Sequence, residues 1–428
     1  MDNYDITILG GGSAGLMAGV AAGRHGLNVI LVDKGDKLGR KLGISGGGRC
    51  NVTNNKELDE LVQHIPGNGR FLYSALSTFS NKDIARFFED LGIALKEEDN
   101  GRMFPVTDKA KTVVDALVGQ VRNEGVKILV NSPVDRVLFD DNGVAGVRLQ
   151  NGQEWRSKAV IVAVGGKSVP HTGSTGDGYA WAEEAGHTIT TLFPTEVPLT
   201  SREKIIASRE LQGLSLRDVT LSVWNEKGKK IVSHRGDMLF THFGLSGPIA
   251  LRCSQFVVKQ LAKGHSAVKL TIDLFPDSTV DELYGETLQL MKEEPKKAAV
   301  NVLKGTVPER LLPFLFGKAS LDTHVTYDNI PKQPWRELCQ TMKMLPLDVN
   351  GTLSIEEAFV TGGGVNLKEI DPKTMQSKLK KGLFFCGEIL DIHGYTGGYN
   401  ITAAFSTGYT AGTSAALLVK ETQEAPQS

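Results

Sequence analysis

Cysteine is scarce and scattered in this chain. Cys50, Cys253, Cys339 and Cys386 form no C-x-x-C pair and show no metal-ligand spacing. That excludes a disulfide framework and a cysteine zinc site, and a reducing cytoplasm is the expected compartment. A disulfide reductase, which needs paired thiols beside its cofactor, is disfavoured for the same reason. Excess charge is missing too: 48 Lys and Arg stand against 49 Asp and Glu. General attraction to nucleic acid or to an anionic membrane does not follow from such a balance, and neither partner is expected. The basic runs Lys227 to Lys230 and Lys378 to Lys381 read as solvated lysines. Thr402 to Val419 carries no charge, but its Thr, Ser, Tyr and Gly content suits a buried helix better than a membrane span. With a first strand expected almost at Met1, no secretory leader is expected.

Glycine, by contrast, is abundant, at 48 of 428 residues, and it clusters in loops. Such clusters are expected where backbone must approach a ligand closely. The first follows an apolar run, Asp5 to Leu9, read as a strand. In Gly10-Gly11-Gly12-Ser13-Ala14-Gly15 the first glycine permits the tight turn, Gly12 lets backbone approach a pyrophosphate, and Gly15 lets helix and strand pack closely. Leu16 to His25 is then a helix whose N-terminus offers free N–H groups to phosphate. A second strand, Val29 to Val32, ends in Asp33 and Lys34, where a carboxylate binds ribose hydroxyls. Taken with this context, the motif reads as a dinucleotide site.

Gly39 to Asn54 is too glycine-rich for a helix or a paired strand. Its cations Arg40 and Lys41 suit phosphate, and Ser45, Gly46 and Gly47 suit a flat ring. Helical spacing follows over Arg70 to Phe79, Lys82 to Leu91 and Lys109 to Arg122. A meander comes next, Val126 to Val130, Val134 to Phe139, Val144 to Leu149 and Gln153 to Trp155, before the apolar strand Ala159 to Val164. Asp177 is expected to cap the helix after the Thr172 to Gly178 loop. Residues 1–190 are therefore the first segment of a dinucleotide-binding domain. Residues 191–354, with strands over Val219 to Trp224, Lys230 to Ser233 and Met238 to Thr241, a hairpin over Leu347 to Leu353 and several helices, form an insert. Residues 355–428 return to the first domain with the Thr361 to Val365 loop, the strand Gly382 to Cys386 and a long C-terminal helix. The fold class is α/β, a Rossmann-like domain made discontinuous by an inserted β-barrel-like and helical region.

These stretches together resemble the two-dinucleotide-binding-domain flavoproteins, and within them the BaiN/YhiN-like, aminoacetone oxidase-like group. The resemblance is carried by GRKLGISGGGRCNVTN (Gly39 to Asn54), GRMFP (Gly101 to Pro105), THFGLSGP (Thr241 to Pro248), TGGGV (Thr361 to Val365) and GEILDIHGYTGGYN (Gly387 to Asn400). It implies bound FAD. Gly10, Gly12, Ser13, Ala14 and Gly15 would meet the pyrophosphate, and Asp33 and Lys34 the adenosine ribose. Arg40, Lys41, Ser45, Gly46 and Gly47 would line the cofactor, with Ala163 and Gly165 at the strand end. Val134 would touch adenine through its backbone, and Gly387 and Glu388 the ribityl side. Gly398, Asn400 and Ile401 would present helix N–H groups to the flavin's pyrimidine carbonyl. No covalent-flavin signature is present, so noncovalent FAD is expected, and Glu388 stands where the wider superfamily has Asp.

The expected function is an FAD-dependent oxidoreductase acting on a small molecule between the FAD domain and the insert. No second GxGxxG follows a strand, so NAD(P)H, if it donates electrons, binds transiently; oxidase and NAD(P)H-dependent reductase both remain open. Arg49, His393 and Tyr395 are the candidate catalytic residues, and no metal site is expected. An FAD-binding scaffold or a nucleic-acid-modifying flavoprotein is the alternative.

Overall fold

Strand β1 (Asp2–Leu9) shows why the first apolar run is not alternating. Ile6, Thr7, Ile8 and Leu9 are all buried, and the one polar member bonds Thr7 Oγ1 to Ser157 Oγ at 2.6 Å. A strand buried on both faces has no polar side to display. After it come α1 (Ser13–Gly23), β2 (Val29–Val32), α2 (Arg40–Gly48), β3 (Lys127–Leu129), β4 (Val134–Asp140), β5 (Gly143–Leu149) and β6 (Glu154–Val162). The sheet order is β3-β2-β1-β6-β5-β4, parallel from β3 to β6 and antiparallel beyond. A returning strand, Leu383–Phe385, pairs in parallel with the last residues of β6. This is the doubly wound arrangement whose ligand crevice lies at the carboxyl ends of the parallel strands.

The structure is a computed structural model that describes residues 2–424. It has two compact units, Met1–Phe193 with Phe359–Ser428, and Pro194–Ala358. Several local expectations are corrected. The strands expected over Gln153 to Trp155 and Ala159 to Val164 merge into the single strand β6, Glu154–Val162, because Ser157 finds its partner in Thr7 and the chain need not turn out to water. Its first residues pair with β5 and its last with the returning strand. Asp177 does not cap its helix but opens it; the preceding Gly176 is the cap, and the Asp177 carboxylate accepts from Lys34 Nζ at 2.6 Å.

In the Pro194–Ala358 unit, Lys230 to Ser233 and Met238 to Thr241 join into one strand, Lys230–Phe240. The expected hairpin over Leu347 to Leu353 does not form. Leu345–Val349 pairs with Val268–Asp273, whereas Gly351–Thr352 pairs with Leu199–Thr200. These two strands are the opposite edges of one seven-stranded antiparallel sheet, separated in sequence by Asn350 alone. A single residue can join the two edges only if the sheet curls back on itself, so the unit is barrel-like. Asn350 N bonds Thr200 O at 2.9 Å across the seam.

The C-terminal helix, Tyr399–Glu424, is mostly buried where sequence left it uncharged. Among the described residues no helix is long and apolar enough to cross a membrane. It lies on α1 at glycine contact distance: a Cβ at Gly408 or Gly412 would overlap the carbonyl oxygens of Ala14 and Ala18.

Candidate functional site

The nucleotide loop is fixed by its own backbone. Gly10 N donates to Val32 O at 2.8 Å, Gly39 N to Gly11 O at 2.8 Å, and Leu16 N to Gly12 O at 2.9 Å. Gly11 N reaches Asp33 Oδ2 at 2.6 Å while Gly35 N reaches Oδ1 at 2.7 Å, so Asp33 ties the loop to the end of β2. The glycines divide by role. A Cβ at Gly15 would strike the Gly10 carbonyl, and one at Gly10 would lie 2.6 Å from Ala163 O, but one at Gly12 meets nothing within 4 Å. Gly12 caps α1 without a side chain. The amides of Ser13, Ala14 and Gly15 therefore face the open space beside Gly12, where a helix N-terminus attracts phosphate. Lys34 turns to Thr175 and Asp177, and Arg40 to Asp36. Ser132 N bonds Asp33 O at 3.0 Å and Asn131 N bonds Gly35 O at 2.8 Å. Val134, two residues on from Ser132, heads β4 close to the Asp33 turn.

The expectation of no helix over Gly39 to Asn54 is corrected in part. Arg40–Gly48 is helical, anchored by buried Leu42, and breaks at Ser45, Gly46 and Gly47, where φ reaches 57° and 70° at the two glycines. Glycine alone takes that conformation without strain. A Cβ at Gly47 or Gly48 would meet nothing within 4 Å. Beyond the break Arg49 turns to acids: Nη1 lies 2.8 Å and Nη2 3.2 Å from Glu98, with Asp108 at 3.4 Å and the Phe104 ring 4.1 Å beneath. The guanidinium holds the Glu98 carboxyl below the usual range. Arg49→Ala and Glu98→Ala are expected to cost turnover alike, about two- to fivefold, with the double variant no worse. Turnover and bound flavin measured for all three check this; a loss above a hundredfold for Arg49→Ala alone would put the guanidinium at the substrate.

Asn51 follows, buried, and among the described residues its Oδ1 has no hydrogen-bond partner. A Cβ at Gly398 would lie 3.0 Å from that oxygen and 2.7 Å from Thr53 O. Thr53 Oγ1 meets Thr402 Oγ1 at 2.8 Å, and Asn54 Nδ2 donates to Gly397 O at 2.9 Å. The Gly39 to Asn54 stretch is in this way fastened to the first turn of the C-terminal helix. Asn400 folds back on its own loop, accepting from Gly394 N at 2.7 Å and donating to Gly394 O at 2.9 Å. Ile401 stands one residue on, half-buried. His393 is buried against the edge of Phe193, over a Gly67 whose Cβ its ring would exclude. Tyr395 N bonds His64 O at 3.0 Å. Both candidates lie on the stretch leading into that helix.

Glu388 belongs to a half-buried network that its motif did not disclose. Lys41 Nζ lies 2.7 Å from Glu388 Oε2 and 2.8 Å from Ser168 Oγ; Ser168 Oγ also donates to Glu388 Oε1 at 3.0 Å, and Thr361 N donates there at 2.8 Å. Gly387 N is taken by Thr407 Oγ1 at 3.0 Å, and a Cβ on Gly387 would press Ala14 at 2.7 Å. Gly165 comes against Ser174. Ser168 and Thr407 carry no sequence signal, and Thr361 only that of opening the Thr361 to Val365 glycine loop. The four cysteines are buried and free, and burial pushes the Cys50 thiol up to about 12. A thiol so held stays protonated and is no thiolate donor at neutral pH. Open space at Gly12 and Gly47, first-turn amides and an orphaned Asn51 acceptor fit an extended dinucleotide.

A family model of the HI0933-like protein Rossmann domain matches residues 4–414. The chain belongs to the HI0933-like family. The resemblance to the BaiN/YhiN-like flavoproteins is thereby borne out, as is the Rossmann-like α/β class, and the chain is an FAD-dependent oxidoreductase. It is 34% identical to "Ribosomal RNA dihydrouridine synthase" of Haemophilus influenzae over 94% of this chain and 96% of that one. A protein of the same name from Escherichia coli is 32% identical, covering 96% and 97%. "3-dehydro-bile acid delta(4,6)-reductase" of Clostridium scindens is 29% identical, covering 96% and 98%. Among solved structures a quinol-fumarate reductase with menaquinol superposes at TM-score 0.52, 16% identity, over 98% of this chain and 72% of that one, a likeness of fold alone.

Proposed function

We propose that this HI0933-like chain reduces a carbon–carbon double bond conjugated to a carbonyl, and that its substrate is a uracil base of ribosomal RNA. What supports the reading is one chemistry shared by relatives with unlike substrates. Making dihydrouridine removes the C5=C6 bond conjugated to the C4 carbonyl, and a delta(4,6)-reductase of a 3-dehydro bile acid acts on double bonds conjugated to the 3-keto group. The Haemophilus influenzae and Escherichia coli relatives, at 34% and 32% identity, carry the RNA name, which favours uracil over a steroid. The expectation of no nucleic-acid partner drew on net charge, and a whole-chain charge is silent about a local surface. A bile-acid-like enone is the second reading, favoured by the full-length likeness to the Clostridium scindens protein.

FAD, held noncovalently, supplies the two electrons when bound, and NAD(P)H replenishes them. The chain's own residues do the rest. The Ser13 to Gly15 amides hold the pyrophosphate, and Asp33, with an acceptor face beyond its two amide bonds, orients the ribose. The Gly398 to Ile401 turn directs the positive end of the C-terminal helix at the flavin carbonyl, and Asn51 accepts from a ring N–H. His393 and Tyr395, on the stretch before that turn, orient the base. The base must leave its stack to reach any such site.

Anaerobic titration tests the reading. NADH or NADPH should bleach the flavin, and ribosomal RNA from cells lacking the protein should restore its colour as dihydrouridine appears. Recovery with a 4-en-3-one steroid but not with RNA would leave the bond chemistry and remove the uracil. Bleaching by an amine, with recovery by oxygen alone, would make the chain an oxidase and remove both.

A further inference from the structure

A ribosomal RNA substrate raises the question of what holds a polyanion on a chain of net charge −1. In the barrel-like unit, Lys227, Lys229 and Lys230 stand exposed on the turn between Ser215–Trp224 and Lys230–Phe240. The turn is fixed: Asn225 Oδ1 accepts from Lys227 N at 3.0 Å and Lys229 N at 2.8 Å, and Asn225 N donates to Lys229 O at 2.9 Å. Val223 pairs with Leu270, so the start of Val268–Asp273 arrives at the same end, bringing exposed Lys269 and the nearby Lys263. Asn350 then links Ser266 O, 3.3 Å from its Nδ2, to Arg202 N, 3.1 Å from its Oδ1. Arg202 and Lys204, both exposed, complete the cluster.

Among the described residues the ion pairs of this unit fall on other cations, leaving these without carboxylate partners. The acids nearby are Glu203, whose Oε1 accepts from Asp348 N at 2.6 Å, Glu226, 3.6 Å from His265, and Asp348 itself. The cations outnumber them more than two to one. Met344, an exposed apolar side chain of this unit, adjoins Leu345, at the other end of the strand from Asp348. A bilayer would need apolar side chains among the lysines, whereas a phosphate backbone needs only the charges.

We propose that this end of the barrel-like unit docks the phosphate backbone of RNA. The proposal rests on the ribosomal RNA reading above. Lysine heads on flexible stems act as point charges, so the surface supplies affinity and orientation without reading bases.

The test uses FAD-loaded full chain and fluorescently labelled fragments of ribosomal RNA. It compares wild type with Lys227→Gln/Lys229→Gln/Lys230→Gln, and with Lys378→Gln/Lys380→Gln/Lys381→Gln as a control in the other unit. Circular dichroism and bound FAD establish that each is folded. The hairpin variant should bind about tenfold more weakly at low salt, and its slope of log K against log salt should be shallower by roughly 2, as three phosphate contacts on a single strand require. The control should match wild type. Equal slopes for wild type and hairpin variant, or an equal loss in the control, would overturn the docking surface; dihydrouridine still formed by wild type would then leave the function standing. Wild type that neither binds the fragments nor forms dihydrouridine would overturn both.

Discussion

Gly12→Val is expected to give a folded chain that no longer retains FAD. A Cβ at Gly12 meets no protein atom within 4 Å, so no protein atom has to move for one and the apoprotein loses only part of the N-cap preference. The branched side chain would instead stand in the space that the Ser13 to Gly15 amides face. Losing two charge-assisted hydrogen bonds there costs about 3–5 kcal/mol, or roughly 10² to 10⁴ in FAD affinity. Flavin released on denaturation, titrated against added FAD, measures the loss, and circular dichroism checks the fold. Gly15→Val is the contrast, since its Cβ would strike the Gly10 carbonyl and the fold itself should suffer. Full flavin content in Gly12→Val would mean that the open space is not the pyrophosphate site.

Gly408→Val should be strongly destabilising although it lies far along the chain from the Gly10 to Gly15 loop. Its Cβ would overlap the Ala14 carbonyl, a backbone atom of α1 that cannot move aside as a side chain would. Parting the two helices costs about 3 kcal/mol or more, and it also shifts the amides of α1's first turn. Thermal melting with and without added FAD reads both effects: a lowered Tm together with weakened FAD binding is expected. An unchanged Tm would place the helices further apart than described. Gly412→Val, against Ala18 one turn along, should destabilise similarly but spare the FAD end more.

Legibility followed range along the chain. The Gly10 to Gly15 loop and Asp33 were readable because a phosphate, a turn and a close packing each demand a glycine at fixed offsets, and the parallel strands were readable from their unbroken apolar runs. Sequence left residues 156–158 out between two strands, since a polar Arg-Ser-Lys run looks like an exit to water unless Thr7, 150 residues away, is known to receive Ser157. Leu347 to Leu353 looked like a hairpin because turn residues do not say which neighbour each arm pairs with; closure of the curled sheet decided that. The Lys41, Ser168, Glu388 and Thr361 network joins four distant segments, and no local pattern announces it. Arg49 was legible as a committed side chain but not in its commitment, because Glu98 reaches it only through the fold. One signal lay in plain view: Gly408 and Gly412, four apart in an uncharged helix, are the spacing by which helices approach closely.

The central claim, reduction of uracil in ribosomal RNA by a flavin held at Gly12, is tested most directly in cells. Ribosomal RNA would be taken from cells lacking this gene, from cells with it restored, and from cells restored with Gly12→Val, then digested and read by mass spectrometry for uridine carrying two added hydrogens. Dihydrouridine restored by the wild-type chain and absent in the other two is the expected result. The same dihydrouridine content in all three would contradict it.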